Sequence, residues 1–411
     1  MRYKIILILL VGIVITVNAQ TNIEEDTIIV ENKGFIKPAI NYIENTVFQY
    51  LQKSDQTSSD KSFNYSVIGG PYYTNETKVG MGLIGSGLFR LNGCEKDNDP
   101  SNISLYINAT SSGAYALGIR SSIYFQKKRY WIDSDISFSD TPSQYWGVGY
   151  NAGRNSYYTD YNIQDMQVKV NLFKKIDKHT AIGLMTNARD IRGKYFDDMS
   201  VLNGEKRKIT VIGAGMTLIY DSRDNTTEPH KGIYIKIGDI FYPNFSSNTS
   251  GFNKTEMTFR YYKELNKRTI VAFDLGGQFS RGDVPWNLMA QAGDASQIRG
   301  YYTGQYRDKN FVESQIELRQ HIYKRSGMVA WVGAGNVFPK LSDFKMKETL
   351  PTIGLGYRFR VKDQTNLRVD YGIGKSQSAL YINSLGVSFI SRSPLVTVLL
   401  SKFNFISAYS K

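Results

Sequence analysis

The sequence predicts an all-β chain, a transmembrane antiparallel β-barrel of about 16 strands. Three observations carry this prediction. Residues 166–172, 257–262 and 367–373 alternate apolar with polar side chains, and successive strand side chains point to opposite faces. The composition is rich in Tyr (29), Gly (36) and Phe (21), which suits strands with aromatic girdles at two membrane interfaces. An export signal opens the chain.

That signal is residues 1–19. Arg2 and Lys4 precede an apolar run, 5–17, that is shorter than the roughly 20 residues of a membrane helix. Val17-Asn18-Ala19 supplies compact residues for cleavage after Ala19. No Cys follows the cleavage point, which argues against a lipid anchor, and the lone Cys94 cannot form an internal disulfide.

Residues 20–61 read as a periplasmic leader with one short helix. Ile40, Ile43, Val47, Phe48 and Leu51 share a helical face, and Pro38 stands near its start. Such a helix either docks on the barrel or a partner, or is a marginal helix on a linker. The segment is too short for an independent domain of any size.

Residues 62–389 read as the barrel. A soluble sandwich would also alternate, with its polar face in water. A sandwich this long would usually split into domains, and no Pro- or Ser-rich linker breaks the region. The connections alternate in length. Asp177-Lys178, Asn266-Lys267 and Asp363-Gln364 are turn-like, whereas 139–164, 192–208 and 281–310 are long. Short periplasmic turns and long external loops are the barrel pattern, and an even strand count puts both ends on the periplasmic side. On the strand after the longest loop, Glu313, Gln315, Glu317 and Arg319 share the lumen face. Residues 390–411 form a C-terminal tail, apolar over 393–405.

The net charge is +13. It reads either as an ordinary solvated surface or as attraction to the phosphates of lipopolysaccharide and to acidic clients. In the lumen, Lys169, Arg260, Arg319 and Arg368 are opposed by Asp274, Glu313, Glu317 and Asp370. No nucleic-acid motif occurs. Nothing points to an enzyme, a cofactor or a metal: His179, His230 and His321 are dispersed, and neither a nucleophile elbow nor a phosphate loop is present. The run Asp221-Ser222-Arg223-Asp224 is better read as a turn stapled by Arg–Asp pairing.

Several motifs resemble those of the BamA/TamA family of outer-membrane proteins (bacterial surface-antigen barrels). QIRGYYTGQYRDKN, 297–310, is similar to the family's lumen-inserted loop. GGPYYTNETKVGMGLIGSG, 69–87, resembles its entry strands. YDSRDNTTEPHKG, 220–232, resembles its Arg-Asp-Asn…Pro…Gly turn, here Asp221, Arg223, Asp224, Pro229 and Gly232. QIELRQ, 315–320, and LRVDYGIG, 367–374, with YINSLGVSF, 381–389, resemble the strand after the loop and the closing strands. The resemblance is to a barrel-only member, without POTRA domains.

It implies an outer-membrane location and a role in outer-membrane protein insertion, assembly or polypeptide translocation. Its alternative is a passive pore or an accessory surface-antigen barrel of a larger complex. Partners would be outer-membrane lipid, lipopolysaccharide, unfolded barrel clients and other assembly components. The loop motif is Arg299, Gly300 and Tyr301. A guanidinium in the lumen needs partners, because a partly dehydrated charge is costly alone; Glu313 and Glu317 on the next strand are the candidates. Gly300 would permit close approach to the wall, and Tyr301 would pack and hydrogen-bond inside. A weak seam between the first and last strands would lie at Gly69, Gly70, Gly386 and Phe389. Two departures stand out. Gly333 occupies a place where the family often carries Asp, and the chain continues past Phe389.

Overall fold

The computed structural model describes residues 63–91, 100–125, 129–226, 228–244, 251–362 and 365–383. The signal peptide 1–19, the leader 20–61 with its helix, Cys94, Gly386, Phe389 and the tail 390–411 lie outside these residues.

Eighteen strands follow in order: β1 (Phe63–Thr74), β2 (Lys78–Phe89), β3 (Ser101–Thr110), β4 (Tyr115–Tyr124), β5 (Tyr130–Tyr145), β6 (Thr159–Lys175), β7 (Thr180–Lys194), β8 (Lys208–Asp221), β9 (Gly232–Tyr242), β10 (Phe252–Asn266), β11 (Thr269–Gly282), β12 (Ala290–Gln291), β13 (Arg307–Asp308), β14 (Asn310–Tyr323), β15 (Ser326–Phe338), β16 (Leu350–Lys362), β17 (Thr365–Ile373) and β18 (Ser378–Asn383). Sixteen of them close into one barrel in which every neighbouring pair is antiparallel. β12 and β13 pair with each other within the long loop between β11 and β14. The ring closes between β1 and β18, where Tyr72 faces Asn383 and Tyr73 faces Ile382. Closure matters because a lipid-exposed open edge would leave backbone groups without partners.

The faces of these strands are inverted relative to a water-soluble protein. On β3, Ile103, Leu105 and Ile107 are 43, 58 and 54% exposed, while Tyr106 and Asn108 between and beyond them are buried inside. The same holds for Ile182 and Leu184 on β7, Ile316 and Leu318 on β14, and Ile353 and Leu355 on β16. A continuous apolar outer band and a polar inner face fit lipid outside and a wet lumen inside. Among the described residues no helix is long and apolar enough to cross a membrane.

The β5–β6 hairpin is longer than the sequence suggests. Half of the expected loop 139–164 is strand: β5 continues to Tyr145 and β6 starts at Thr159, with Pro142 opposite Asn162 and Gln144 opposite Asp160. Its physical reason is that this extension projects past the apolar band. There the outward face carries no lipid-driven alternation, so the sequence reads as loop. A short helix, α1 (Tyr150–Arg154), sits at the tip.

One end of the barrel, here the loop end, carries this hairpin and the β11–β14 loop. The opposite, turn end carries the β6–β7, β8–β9 and β10–β11 connections.

Candidate functional site

The β11–β14 loop runs back into the lumen, and its first half builds an apolar plug. Val284, Trp286, Leu288 and Met289 join the inward faces of β5 to β10, including Tyr145, Tyr161, Ile163, Ile191, Ile209 and Tyr242. Trp286 is fully buried. Its indole N–H donates to the Lys206 carbonyl at 3.1 Å, and its ring lies 4.6 Å from that of Tyr145. Arg307, from β13, is buried with its guanidinium over the Tyr145 and Trp286 rings, 4.8 and 5.5 Å from their centroids.

The second half of the loop is held by charge. Arg299 is 1% exposed. Its Nη2 donates to Glu317 Oε2 on β14 at 2.7 Å, and its Nη1 donates to Asp370 Oδ2 on β17 at 3.0 Å. Its Cζ lies 3.5 Å from the centroid of the Trp331 ring on β15, a stacked geometry that guanidinium favours. Three more arginines converge. Arg319 donates to Glu317 at 2.8 Å, and Arg358 and Arg368 both donate to Asp370. Four guanidiniums thus share two carboxylates. Such charge-assisted pairs are among the strong hydrogen bonds.

Strand register explains why these groups meet. Glu317 faces Trp331, Trp331 faces Gly354, and Gly354 faces Gly372, so one row crosses β14 to β17. The two glycines open the wall. A Cβ at Gly354 would collide with the Trp331 ring at 2.1 Å, and one at Gly372 would stand 2.7 Å from the Arg299 carbonyl oxygen. Gly300 faces them with φ +113°, and a Cβ there would be 2.9 Å from the Gly372 and Ile373 backbone. This is a position where a left-handed conformation and a close approach both call for glycine. Thr352 Oγ1 donates to the Arg299 carbonyl.

Tyr301 is fully buried. Its hydroxyl donates to the Pro351 carbonyl at 2.7 Å and accepts from the Lys375 N–H at 2.8 Å. Burial pushes the Tyr301 phenol up to about 12, so it stays a neutral donor. The Arg368 guanidinium donates to the Ala295 carbonyl at 2.8 Å, tying the loop down a second time.

Of the two expected partners of Arg299, the structure brings Glu317 to it. Glu313 is buried on the same face two positions earlier in that alternation, but the ion pairs of Arg299 run to Glu317 and Asp370 instead. Arg299 lies at the level of Glu317 and reaches toward β17, two same-face positions past Glu313. Asp370, Trp331, Arg319, Arg358, Arg368 and Thr352 are members that sequence reasoning did not assign to the loop. The signal for Asp370 was its place on the lumen face of 367–373.

The turn motif is a separate structure at the turn end. Arg223 donates twice to Asp221, at 2.9 and 2.8 Å, and stacks 4.5 Å from the Tyr234 ring centroid. Asp224 accepts the N–H groups of Asn225, His230 and Lys231 at 3.0, 2.9 and 3.2 Å. Burial alone would raise its carboxyl, yet these donors and the His230 ring hold it below the usual range. Pro229 is buried, and Gly232 has φ +114°. Glu228 reaches Arg360 on β16 at 3.0 Å. The predicted seam glycines, Gly69 and Gly70, face Leu83 and Gly82 on β2.

Residues 99–381 match the Omp85 superfamily domain. Among curated proteins no sequence match was found. Solved structures resemble the fold. BamA from Haemophilus ducreyi lacking POTRA domains 1–3 aligns with a TM-score of 0.57 at 12% identity, over 78% of this chain and 70% of that one. CdiB from Acinetobacter baumannii gives 0.53 at 13% identity, over 79% and 60%. CdiB from Escherichia coli gives 0.54 at 13%, over 79% and 63%. The chain therefore spans less than two thirds of the CdiB chains. At these identities the likeness is one of fold, but the domain match covers more than half of the sequence: the chain belongs to the Omp85 superfamily of β-barrel proteins.

Proposed function

We propose that this barrel sits in an outer membrane, loop end outward and turn end periplasmic, and acts in insertion of outer-membrane proteins or translocation of polypeptides. The observation that carries the reading is the lumen loop pinned by Arg299 to β14 and β17, beside the β1–β18 closure. The closure is where a barrel can offer a strand edge to a client by backbone pairing. A loop locked onto the last strands would hold the shape of that edge. Partners on this reading are outer-membrane lipid, including lipopolysaccharide, unfolded barrel clients and other assembly components.

A passive pore fits less well. The first half of the loop fills the loop end of the lumen with buried aromatic and aliphatic side chains, and a solute path would have to cross that plug.

The test uses the full-length protein in liposomes with an unfolded barrel client. Client folding is followed by gel mobility shift and protease protection, with an Arg299→Ala variant alongside. The expected result is acceleration by wild type, reduced at least fivefold by the variant. A folded protein that leaves the client rate unchanged, yet conducts ions in planar bilayers, would overturn the reading in favour of a pore.

A further inference from the structure

The same loop also reaches across the barrel closure. From Gly300 to Gln305 it touches β18, the residue before it and the β1–β2 turn, and all of these contacts lie at the loop end. On the β18 side, the Gly300 N–H donates to the Tyr381 hydroxyl at 3.2 Å. The Tyr302 N–H donates to Gln377 Oε1 at 3.1 Å, and Gln377 Nε2 donates to Gln305 Oε1 at 2.6 Å. On the β1 side, the backbone N–H and the hydroxyl of Thr303 both donate to Glu76 Oε1, each at 3.1 Å. Glu76 lies in the tight β1–β2 turn, 227 positions from Thr303 in the sequence.

The neighbouring residue closes the gap directly. Asn75 Nδ2 donates to the Ser378 carbonyl at 3.0 Å, and the Leu380 N–H donates to Asn75 Oδ1 at 3.4 Å. One side chain thereby satisfies a donor and an acceptor of β18 in the manner of a backbone partner. The turn that presents Asn75 and Glu76 is braced. Thr74 Oγ1 accepts the Thr77 N–H at 3.1 Å, and Thr77 is buried.

We propose that residues 300–305 and the Asn75–Glu76 turn form a polar clasp over the outer end of the β1–β18 seam, with the Glu76–Thr303 contact as its releasable element. The Arg299 cluster anchors the loop on β14 and β17, on one side of the seam only. Thr303 is the point at which the anchored loop crosses to β1. Separation of β1 from β18 at this end must break both the Glu76 contacts and the Asn75 contacts. A carboxylate accepting two neutral donors is a charge-assisted contact, and at a half-exposed site water can replace both donors once the loop lifts. A contact of this kind holds a seam closed at rest while leaving it reversible. The pair of Arg299 with Asp370, 1 and 0% exposed, is not reversible in that way.

The clasp deepens the insertion reading and rests on it for its purpose, but its existence can be measured without a client. Backbone hydrogen exchange is recorded on the full-length protein in liposomes, wild type against Glu76→Ala. Exchange at residues 70–74 and 378–383 reports opening of the seam, and residues 181–191 in β7 serve as an internal reference. The expected result is at least a tenfold rise in seam exchange with the reference unchanged. Glu76→Gln keeps an acceptor oxygen and should fall between wild type and Glu76→Ala. Should Glu76→Ala fail to fold, the near-isosteric Thr303→Val loses only the hydroxyl donor and should raise seam exchange a few-fold. Seam exchange equal to wild type in a folded variant overturns the clasp. Faster seam exchange supports it whether or not client folding changes, and an unchanged client rate in that case counts against the insertion reading alone.

Discussion

The two halves of the lumen loop are held by opposite physics. Residues 284–289 are held by burial of aromatic and aliphatic surface against β5 to β10. Residues 299–303 are held by ion pairs and hydrogen bonds against β14 to β18 and the β1–β2 turn. Apolar packing is non-directional and tolerates swaps of similar volume. Ion pairs at fixed register tolerate almost none. The comparison teaches that the plug can close the barrel without specifying the position of the loop to an ångström. The charged half sets that position, and it does so beside the closure strands.

The largest effect is expected from removing the shared carboxylate. Asp370→Ala leaves Arg299 with one carboxylate and takes from Arg358 and Arg368 the one they share. Breaking a buried pair in this way costs about 3–5 kcal/mol, and this site holds three such donors. In urea-dependent unfolding followed by gel mobility, Asp370→Ala should be the least stable single variant. Trp286→Ala in the plug should cost a similar but smaller amount, about 3 kcal/mol at the low end for a buried aromatic, because neighbouring side chains can relax into the space. The comparison breaks if Trp286→Ala proves the more damaging of the two.

A smaller effect is expected at Gly300. An added methyl there meets the Gly372 and Ile373 backbone at 2.9 Å with φ at +113°. Overpacking of this kind costs about 1–3 kcal/mol. Gly300→Ala should therefore lower the unfolding midpoint less than Asp370→Ala. It should also loosen the loop selectively, seen as faster proteolysis within 294–306 while the barrel stays intact. Equal protease resistance of variant and wild type would show that the wall gives way at this point.

Much of this fold was legible in the sequence, because lipid imposes a simple rule. Outward residues must be apolar and inward ones polar, so period two persists wherever a strand crosses the band. The rule fails where strands leave the band, which is why 139–145 and 159–164 read as loop. In the site, Glu317 was legible because it lies on the strand directly after the loop. Asp370 was not, since it comes 71 positions after Arg299 and meets it only through the register of four neighbouring strands. Trp331 lay hidden for the same reason: its partner Gly354 has no side chain to betray a contact. Trp286 was missed because an aromatic residue in a polar loop gives no period to read. Glu76 and Thr303 come together only when the ring closes, and no local pattern records that.

The most direct test of the account compares the two halves in one assay. Arg299→Lys keeps the charge but loses the fork that spans Glu317 and Asp370 and the flat face on Trp331. Trp286→Ala keeps the ionic half and opens the plug. Both are reconstituted into liposomes, and client folding and ion conductance are measured on each. The account predicts that Arg299→Lys loses most of the client acceleration while remaining closed to ions, and that Trp286→Ala conducts ions while retaining client acceleration. Equal loss of client folding in both, or retention in Arg299→Lys, would contradict it.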